Sequence, residues 1–147
     1  MNARISGVGR ILGLASFYVI FARLGLSLGA VAGFATLVWP PTGISIAALL
    51  LFGVRVWPGV FIGASIANLL GGASVPVALG IAVGNTAEAL VCAFIVSRFS
   101  RPAALLENVR SVTALILGAV VGAMVSASIG VVSLYGGGVV RVAEIRP

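Results

Sequence analysis

Apolar side chains fill most of this chain, and proline-rich or polar breaks divide them into segments. The first apolar tract, residues 11–52, is interrupted at residues 38–46, where two prolines stand side by side. Proline lacks an N–H donor and pushes the preceding residue out of the helical region, so an arriving helix ends near Trp39. The same prolines suit the first turn of a new helix. Later breaks follow at residues 57–58, 71–74, 98–110 and 136–138.

These breaks predict helices at residues 11–30, 41–57, 58–70, 76–97 and 111–135. The residues between the end of the first predicted helix and Trp39 lead into the two prolines. Ser74 and Pro76 suit the start of the fourth helix, and three glycines from Gly136 end the fifth. The third helix is short for a full span, so it sits upright, borrows Val56 and Trp57, or reaches only partway.

The two tryptophans predict where the second helix meets the membrane surface. Trp39 and Trp57 are 18 residues apart, which is about 27 Å in a helix. A hydrocarbon core is about 30 Å thick, and indole rings favour its boundaries. We expect Trp39 and Trp57 at the two ends of one spanning helix.

Composition identifies the environment as a membrane. The 147 residues are 61% hydrophobic and 8% charged, with a mean hydropathy of +1.24, whereas soluble domains carry roughly 25% charged residues. A soluble fold of this length has too little interior for so much apolar surface. We therefore predict an all-α integral membrane protein, a bundle of about five transmembrane helices in contact with the lipid bilayer.

Basic residues predict the orientation of the bundle. All nine basic residues are arginine, and a nucleic-acid partner is excluded because they flank apolar segments. With five spans and a cytoplasmic N-terminus, most of them lie inside, as the positive-inside rule requires. The cytoplasmic arginines would be Arg4, Arg10, Arg55, Arg98, Arg101 and Arg110, and the external ones Arg141 and Arg146.

Missing residue types limit the chemistry. The chain has no His, no Asp, no Lys and one cysteine, Cys92. Histidine bases, paired aspartates and His or Cys metal clusters are therefore excluded. We expect no enzyme activity, no metal and no cofactor.

Glycines spaced four apart predict close helix packing. The chain contains 20 glycines, and small residues let helices approach closely in lipid, where the hydrophobic effect does not drive them together. The pairs are first interpreted as contacts within one chain, and a homodimer seam is the alternative. They are Gly25/Gly29, Gly29/Gly33, Gly59/Gly63, Gly80/Gly84 and Gly118/Gly122.

Polar side chains inside the predicted spans are the candidate functional residues: Arg23, Asn68, Asn85, Thr86 and Glu88. Asn85 and Glu88 share a helix face, which Cys92 continues. Charges are costly in hydrocarbon, so they face the interior of the bundle, a partner or water. Arg23 pairs with Glu88, or Glu88 lies protonated against Asn85, or these groups line a site for an unidentified small ligand. Of these, we expect Arg23 and Glu88 to be neighbours.

Four motifs in matching order resemble the first class of the MASE family of integral membrane sensor domains. They begin with Trp39-Pro40-Pro41-Thr42-Gly43 and the turn that ends in Trp57-Pro58. Asn68 and a segment around Asn85, Thr86 and Glu88 follow. The resemblance covers residues 11 to about 135, the first five spans, and the family's later segments, including a Trp-rich Gly-Asp motif, are missing.

The resemblance implies a sensory input module of a bacterial inner membrane, as found at the N-termini of histidine kinases and diguanylate cyclases. We expect a cytoplasmic N-terminus at residues 1–10, a partial sensor domain at 11–135 and a short tail at 136–147. The output domain would be absent from this chain. A small-molecule binding or transport subunit is the alternative, because broken helices and central polar groups are also typical of transporters.

Overall fold

Five α-helices and one 3₁₀ turn make up the described part of the molecule. The structure is a computed structural model that describes residues 2–27, 39–99 and 108–139, with side chains from residue 7 onward in the first range. The helices are α1 (Asn2–Ser27), α2 (Pro40–Phe52), α3 (Trp57–Leu70), α4 (Val75–Phe99) and α5 (Val109–Gly136), and the 3₁₀ turn is Val54–Val56. The predicted all-α fold and its five helices are confirmed.

The ends of α4 and α5 follow the local signals in the sequence. The Ser74 carbonyl accepts from the Ala78 N–H at 2.8 Å, which starts α4. The Asn108 side chain caps α5 by accepting from the Ser111 N–H at 2.9 Å. After α5, Gly138 adopts a φ of 69°, a conformation that glycine reaches without strain.

The predicted extent of α2 is wrong. This helix ends at Phe52 and not at Trp57, because Gly53 takes a φ of 85° and leaves the helical region. The chain then makes the 3₁₀ turn, in which the Val56 N–H donates to the Gly53 carbonyl at 3.3 Å. Trp57 is consequently the first residue of α3, so the two tryptophans do not belong to one helix.

Three of the described helical segments are long and apolar enough to cross a membrane: Gly7–Ser27, Val75–Phe99 and Val109–Gly136. The helix α1 already includes residues 2–10, ahead of its predicted start, and its predicted end lies outside the described residues. The 13 residues of α2 extend only about 20 Å. The predicted short α3 is confirmed at 14 residues.

Contacts between helices fix their relative directions. Gly59 and Gly63 of α3 face Leu14 and Tyr18 of α1 in the same order, so α1 and α3 are parallel. The Arg10 guanidinium lies 5.3 Å from the centre of the Phe52 ring, which brings the start of α1 to the end of α2. In α5, Gly118 faces Cys92 and Gly122 faces Glu88, so α4 and α5 are antiparallel.

This alternation collects one set of arginines at one end of the bundle, called here the arginine end. Arg110 at the start of α5 lies over the Phe99 ring at the end of α4, 5.7 Å from its centre. The segments that meet there are the start of α1, the turn between α2 and α3, and the junction of α4 with α5. The described arginines of this end are Arg10, Arg55, Arg98 and Arg110.

Glycine pairs hold these helices close together within one chain. A Cβ added to Gly59 would lie 2.7 Å from the Ile11 carbonyl oxygen, and one added to Gly122 would lie 2.8 Å from the Glu88 carbonyl oxygen. Backbone cannot move aside as a flexible side chain can. The intramolecular interpretation is confirmed for Gly59/Gly63, Gly80/Gly84 and Gly118/Gly122, all of which face a neighbouring helix.

The outer surface of the described bundle is apolar. Large hydrophobic side chains point outward along α1, α4 and α5, as shown by Phe17, Phe94 and Val132, which are 59%, 68% and 70% exposed. Such a surface suits lipid. The molecule is a multi-pass membrane protein.

Candidate functional site

Asn85 joins three helices near the centre of the bundle. From the middle of α4, its Nδ2 donates to the Tyr18 hydroxyl of α1 at 2.9 Å. Its Oδ1 accepts from the Ser126 hydroxyl of α5 at 3.2 Å. Tyr18 is 1% exposed. In an apolar surrounding, a buried amide needs such partners because an unpaired polar group is costly.

Glu88 lies one turn further along the same face of α4. Its carboxyl group lies beside the side-chain hydroxyl groups of Ser126 in α5 and Thr42 in α2. Gly122 of α5 packs directly on the Glu88 backbone. Because glycine has no side chain, α5 can approach α4 closely at this position. The shared face predicted for Asn85, Glu88 and Cys92 is confirmed, since all three contact α5.

The segment around Pro40 and Pro41 places two further polar side chains, those of Trp39 and Thr42, beside Tyr18 and Glu88. The indole of Trp39 lies beside the Tyr18 hydroxyl, and Thr42 faces Glu88 from the first turn of α2. We call the six residues Tyr18, Trp39, Thr42, Asn85, Glu88 and Ser126 the polar core.

Trp39 packs against the core of the bundle beside Tyr18, and its expected position at a membrane boundary stays a prediction. Tyr18 lies eight residues beyond Arg10 on α1, or about 12 Å from the arginine end. Tyr18 also bonds Asn85, which lies ten residues into the 25-residue α4. The two prolines therefore start a half-length helix inside the bundle. Pro40 and Pro41 suit that start because neither has an N–H to satisfy.

The expected neighbours Arg23 and Glu88 are not together. Arg23 is exposed, and its Nη1 donates to the Leu70 carbonyl at the end of α3, at 3.5 Å. Asn85 is level with Tyr18 and not with Arg23, which lies five residues, or about 7.5 Å, further along α1. Five residues also turn the side chain to another face of the helix. Within the described ranges, Glu88 lies beside hydroxyl groups and has no arginine partner.

Asn68 and Thr86 lie outside the polar core. The Asn68 amide donates to the Ala64 carbonyl of its own helix at 2.8 Å. Thr86 is buried, and its hydroxyl donates to the Ala82 carbonyl at 2.7 Å. Both side chains satisfy themselves locally, a common arrangement for threonine in helices.

Tyr18 and Ser126 belong to the polar core but were missed as candidates. Tyr18 carried a usable signal, because a tyrosine in the middle of an apolar segment needs a partner for its hydroxyl. Ser126 carried none. Ser128 and Ser133 of the same helix bond carbonyls of their own helix, and sequence does not distinguish these serines from one that reaches across.

The chemistry available in the polar core is that of hydroxyls, one indole N–H, one amide and one carboxyl. No group of three His, Cys, Asp or Glu side chains comes together among the described residues. Such a set offers hydrogen-bond donors and acceptors on four helices, with no nucleophile and base pair. It can fix the relative positions of those helices and change them when its hydrogen bonds change.

Comparison with known proteins identifies a family. The family described as MASE1 matches residues 9–145, which include every member of the polar core. No curated protein and no solved structure matches the chain.

Proposed function

The chain belongs to the MASE1 family of membrane-associated sensor domains, and from this premise we propose that it senses a stimulus through the polar core. A stimulus would change the hydrogen bonds of Asn85 and thereby the packing of α5 on α4. The observation that carries the proposal is the double contact of Asn85 with Tyr18 and Ser126. One side chain thus couples the first and the last described helix.

The coupling follows from the medium. Apolar helix surfaces gain little by leaving lipid for one another, so polar contacts and close packing decide among alternative arrangements. A stimulus shifts such an equilibrium only by its differential affinity for the two arrangements. The polar core provides groups whose partners differ between arrangements, and the apolar outer surface does not.

We further propose that the arginine end faces the cytoplasm of a bacterial inner membrane. Four described arginines lie at this end, and cytoplasmic loops are enriched in basic residues. The signal would then pass to a cytoplasmic output domain. The chain itself would be no enzyme, in keeping with a sensor domain family and with a polar core of hydroxyls, an indole, an amide and a single carboxyl.

A fluorescence experiment tests the sensor. A donor protein is fused ahead of α1 and an acceptor is inserted in the segment between α4 and α5, after Pro102. Their energy transfer reports the distance from the start of α1 to the junction of α4 and α5. We expect shifts of external pH, ionic strength or carbon source to change the transfer in cells. Asn85→Leu should abolish the change, whereas Asn68→Leu should retain it. A wild-type signal unaffected by every shift contradicts the proposal.

A binding or transport subunit is the second candidate, favoured by the start of α2 inside the bundle. Transporters place broken helices and polar groups near the membrane midplane. Purified protein in liposomes should show solute uptake above empty liposomes if this candidate is correct. The sensor proposal expects no such flux.

A further inference from the structure

One corner of the arginine end brings two arginines to an exposed aromatic ring. The Arg10 guanidinium of α1 lies 5.3 Å from the centre of the Phe52 ring at the end of α2. Arg55 follows in the 3₁₀ turn. Gly59, the next turn along, packs against the Ile11 carbonyl beside Arg10, so α1 and the 3₁₀ turn belong to the same corner. We call Arg10, Phe52 and Arg55 the arginine corner.

The two arginines of this corner have no anionic partner in the described part of the molecule. Both side chains are exposed, and within the described ranges neither makes a hydrogen bond or an ion pair. The first acidic residue of the chain is Glu88, which lies in the middle of α4. The elements that build the corner therefore supply no carboxylate side chain. Two uncompensated positive charges at one place attract an anion.

Apolar side chains surround the arginine corner. Leu51, Val54 and Trp57 stand next to Phe52 and Arg55 in the sequence, and all of them are exposed, as is the Phe52 ring. Arginines among such side chains keep their charge at the boundary between hydrocarbon and water. The matching ligand has an anionic group joined to apolar chains. A phospholipid has this form, whereas a phosphate ion or an acidic soluble protein does not.

Arginine is suited to the phosphate group of such a ligand. Its planar guanidinium presents N–H donors as a fork that matches two phosphate oxygens. The ring of Phe52 attracts the Arg10 cation through its π face and accepts no hydrogen bond in the plane of the guanidinium. The N–H groups of both arginines are thus available to one headgroup, from α1 and from the 3₁₀ turn.

We propose that the arginine corner binds the phosphate group of an anionic phospholipid, whose acyl chains lie along the exposed apolar side chains of α2. The site is separate from the polar core, because Tyr18 lies about 12 Å further along α1 than Arg10. It goes beyond the proposed sensor function and does not depend on it. A lipid bound there holds the start of α1 against the end of α2.

The junction of α4 and α5 offers a matched control. There Arg110 lies over the Phe99 ring, 5.7 Å from its centre, and Arg98 precedes that ring in the sequence. Replacing these two arginines removes the same charge from the same end of the bundle and leaves the arginine corner intact. This second pair differs from the corner because Glu107 stands in the same connection.

Quenching by brominated lipids tests the site, because bromine on an acyl chain quenches tryptophan fluorescence at short range. In the full chain with Trp39→Phe, Trp57 is the single tryptophan and stands two residues after Arg55. The protein is placed in phosphatidylcholine vesicles with increasing fractions of brominated phosphatidylglycerol or brominated phosphatidylcholine. Each arginine near the surface favours an anionic lipid by about fivefold. We therefore expect half-maximal quenching at a mole fraction of phosphatidylglycerol at least about fivefold lower.

Arg10→Gln combined with Arg55→Gln should abolish the difference between the two lipids, whereas Arg98→Gln combined with Arg110→Gln should retain it. Equal quenching by both lipids before any arginine is replaced overturns the proposal, as does a preference that survives in the corner variant. Loss of the preference in both double variants would show that total charge, and not the corner, selects the lipid. Abolition of the preference by excess inorganic phosphate or polyglutamate would assign the corner to a phosphate ion or an acidic protein instead.

Discussion

Asn85 of α4 bonds the hydroxyl of Tyr18, a residue 67 positions earlier, at 2.9 Å. The same amide accepts from Ser126, 41 positions later. One side chain in the middle of a spanning helix therefore fixes the level at which two distant helices pack against it. Substitutions that disturb this level, or the close packing around it, should change the stability of the bundle.

Replacing Asn85 by Leu should reduce thermal stability. Each hydrogen bond between helices in a membrane contributes about 1 kcal/mol, and Asn85→Leu removes two while leaving the Tyr18 hydroxyl short of a donor. Asn68→Leu is the matched control, since that amide bonds its own helix. Unfolding temperatures of both variants in one detergent decide the matter. Equal losses would mean that the contacts of Asn85 across helices have no special weight.

Replacing Gly122 by Leu should separate α4 from α5. The new side chain would meet the Glu88 backbone, and overpacking costs roughly 1–3 kcal/mol or more where backbone cannot yield. A Cβ at Gly130, on the same helix, meets nothing within 4 Å, so Gly130→Leu is the control. Disulfide formation between cysteines at Gly84 and Ile129 reports the contact. We expect its loss in the first variant and its retention in the second.

The two tryptophans should differ in exposure to water. Trp57 is 44% exposed and lies at the arginine end, whereas Trp39 packs against the core of the bundle. Iodide should therefore quench the fluorescence of a Trp39→Phe variant, which retains Trp57, more strongly than that of Trp57→Phe. Equal quenching would indicate that Trp39 lies at a membrane boundary.

Arg23 and Glu88 should act independently on stability. Arg23 bonds the Leu70 carbonyl, whereas Glu88 lies beside hydroxyl groups, so they share no partner. The stability change of a variant carrying both Arg23→Leu and Glu88→Leu should equal the sum of the single changes to within about 0.5 kcal/mol. A double variant more stable than either single variant would indicate that Arg23 and Glu88 form an ion pair.

The orientation can be read with a membrane-impermeant thiol reagent in intact cells. In a chain in which Cys92, a buried residue, is replaced by alanine, a cysteine at Ser74 should be labelled from outside. A cysteine at Ala103 should be labelled only after the cells are opened. Labelling of the cysteine at Ala103 alone in intact cells would show that the orientation is inverted. Labelling of both cysteines would show that the number of spans is wrong.

Sequence predicted the helices well because breaks in a membrane helix have local causes. Proline, glycine and the Asn108 cap act within one turn, and the predicted bounds of α3 are off by one residue. The end of α2 was harder, because Gly53 looks like any other glycine until its φ is known.

Only half of the polar core could be predicted, because the contacts between its members depend on how far the helices are shifted along one another. Asn85 and Glu88 were visible as polar residues on one face of one helix. Their partners Tyr18 and Ser126 depend on how far α1 and α5 slide along α4, and an error of five residues on α1 led to Arg23 in place of Tyr18. A glycine in the sequence indicates that another helix can pack closely at that position. It does not identify which helix that is.

Small residues recur every four positions along both helices of the α4 and α5 contact. In α5 they are Gly118, Gly122 and Ser126, and in α4 they are Gly80 and Gly84. Sliding α5 by one period, about 6 Å, would again place small residues opposite α4. Shape complementarity alone therefore leaves the contact degenerate. The hydrogen bond from Ser126 to Asn85 removes that degeneracy, since only one translational register aligns the two groups.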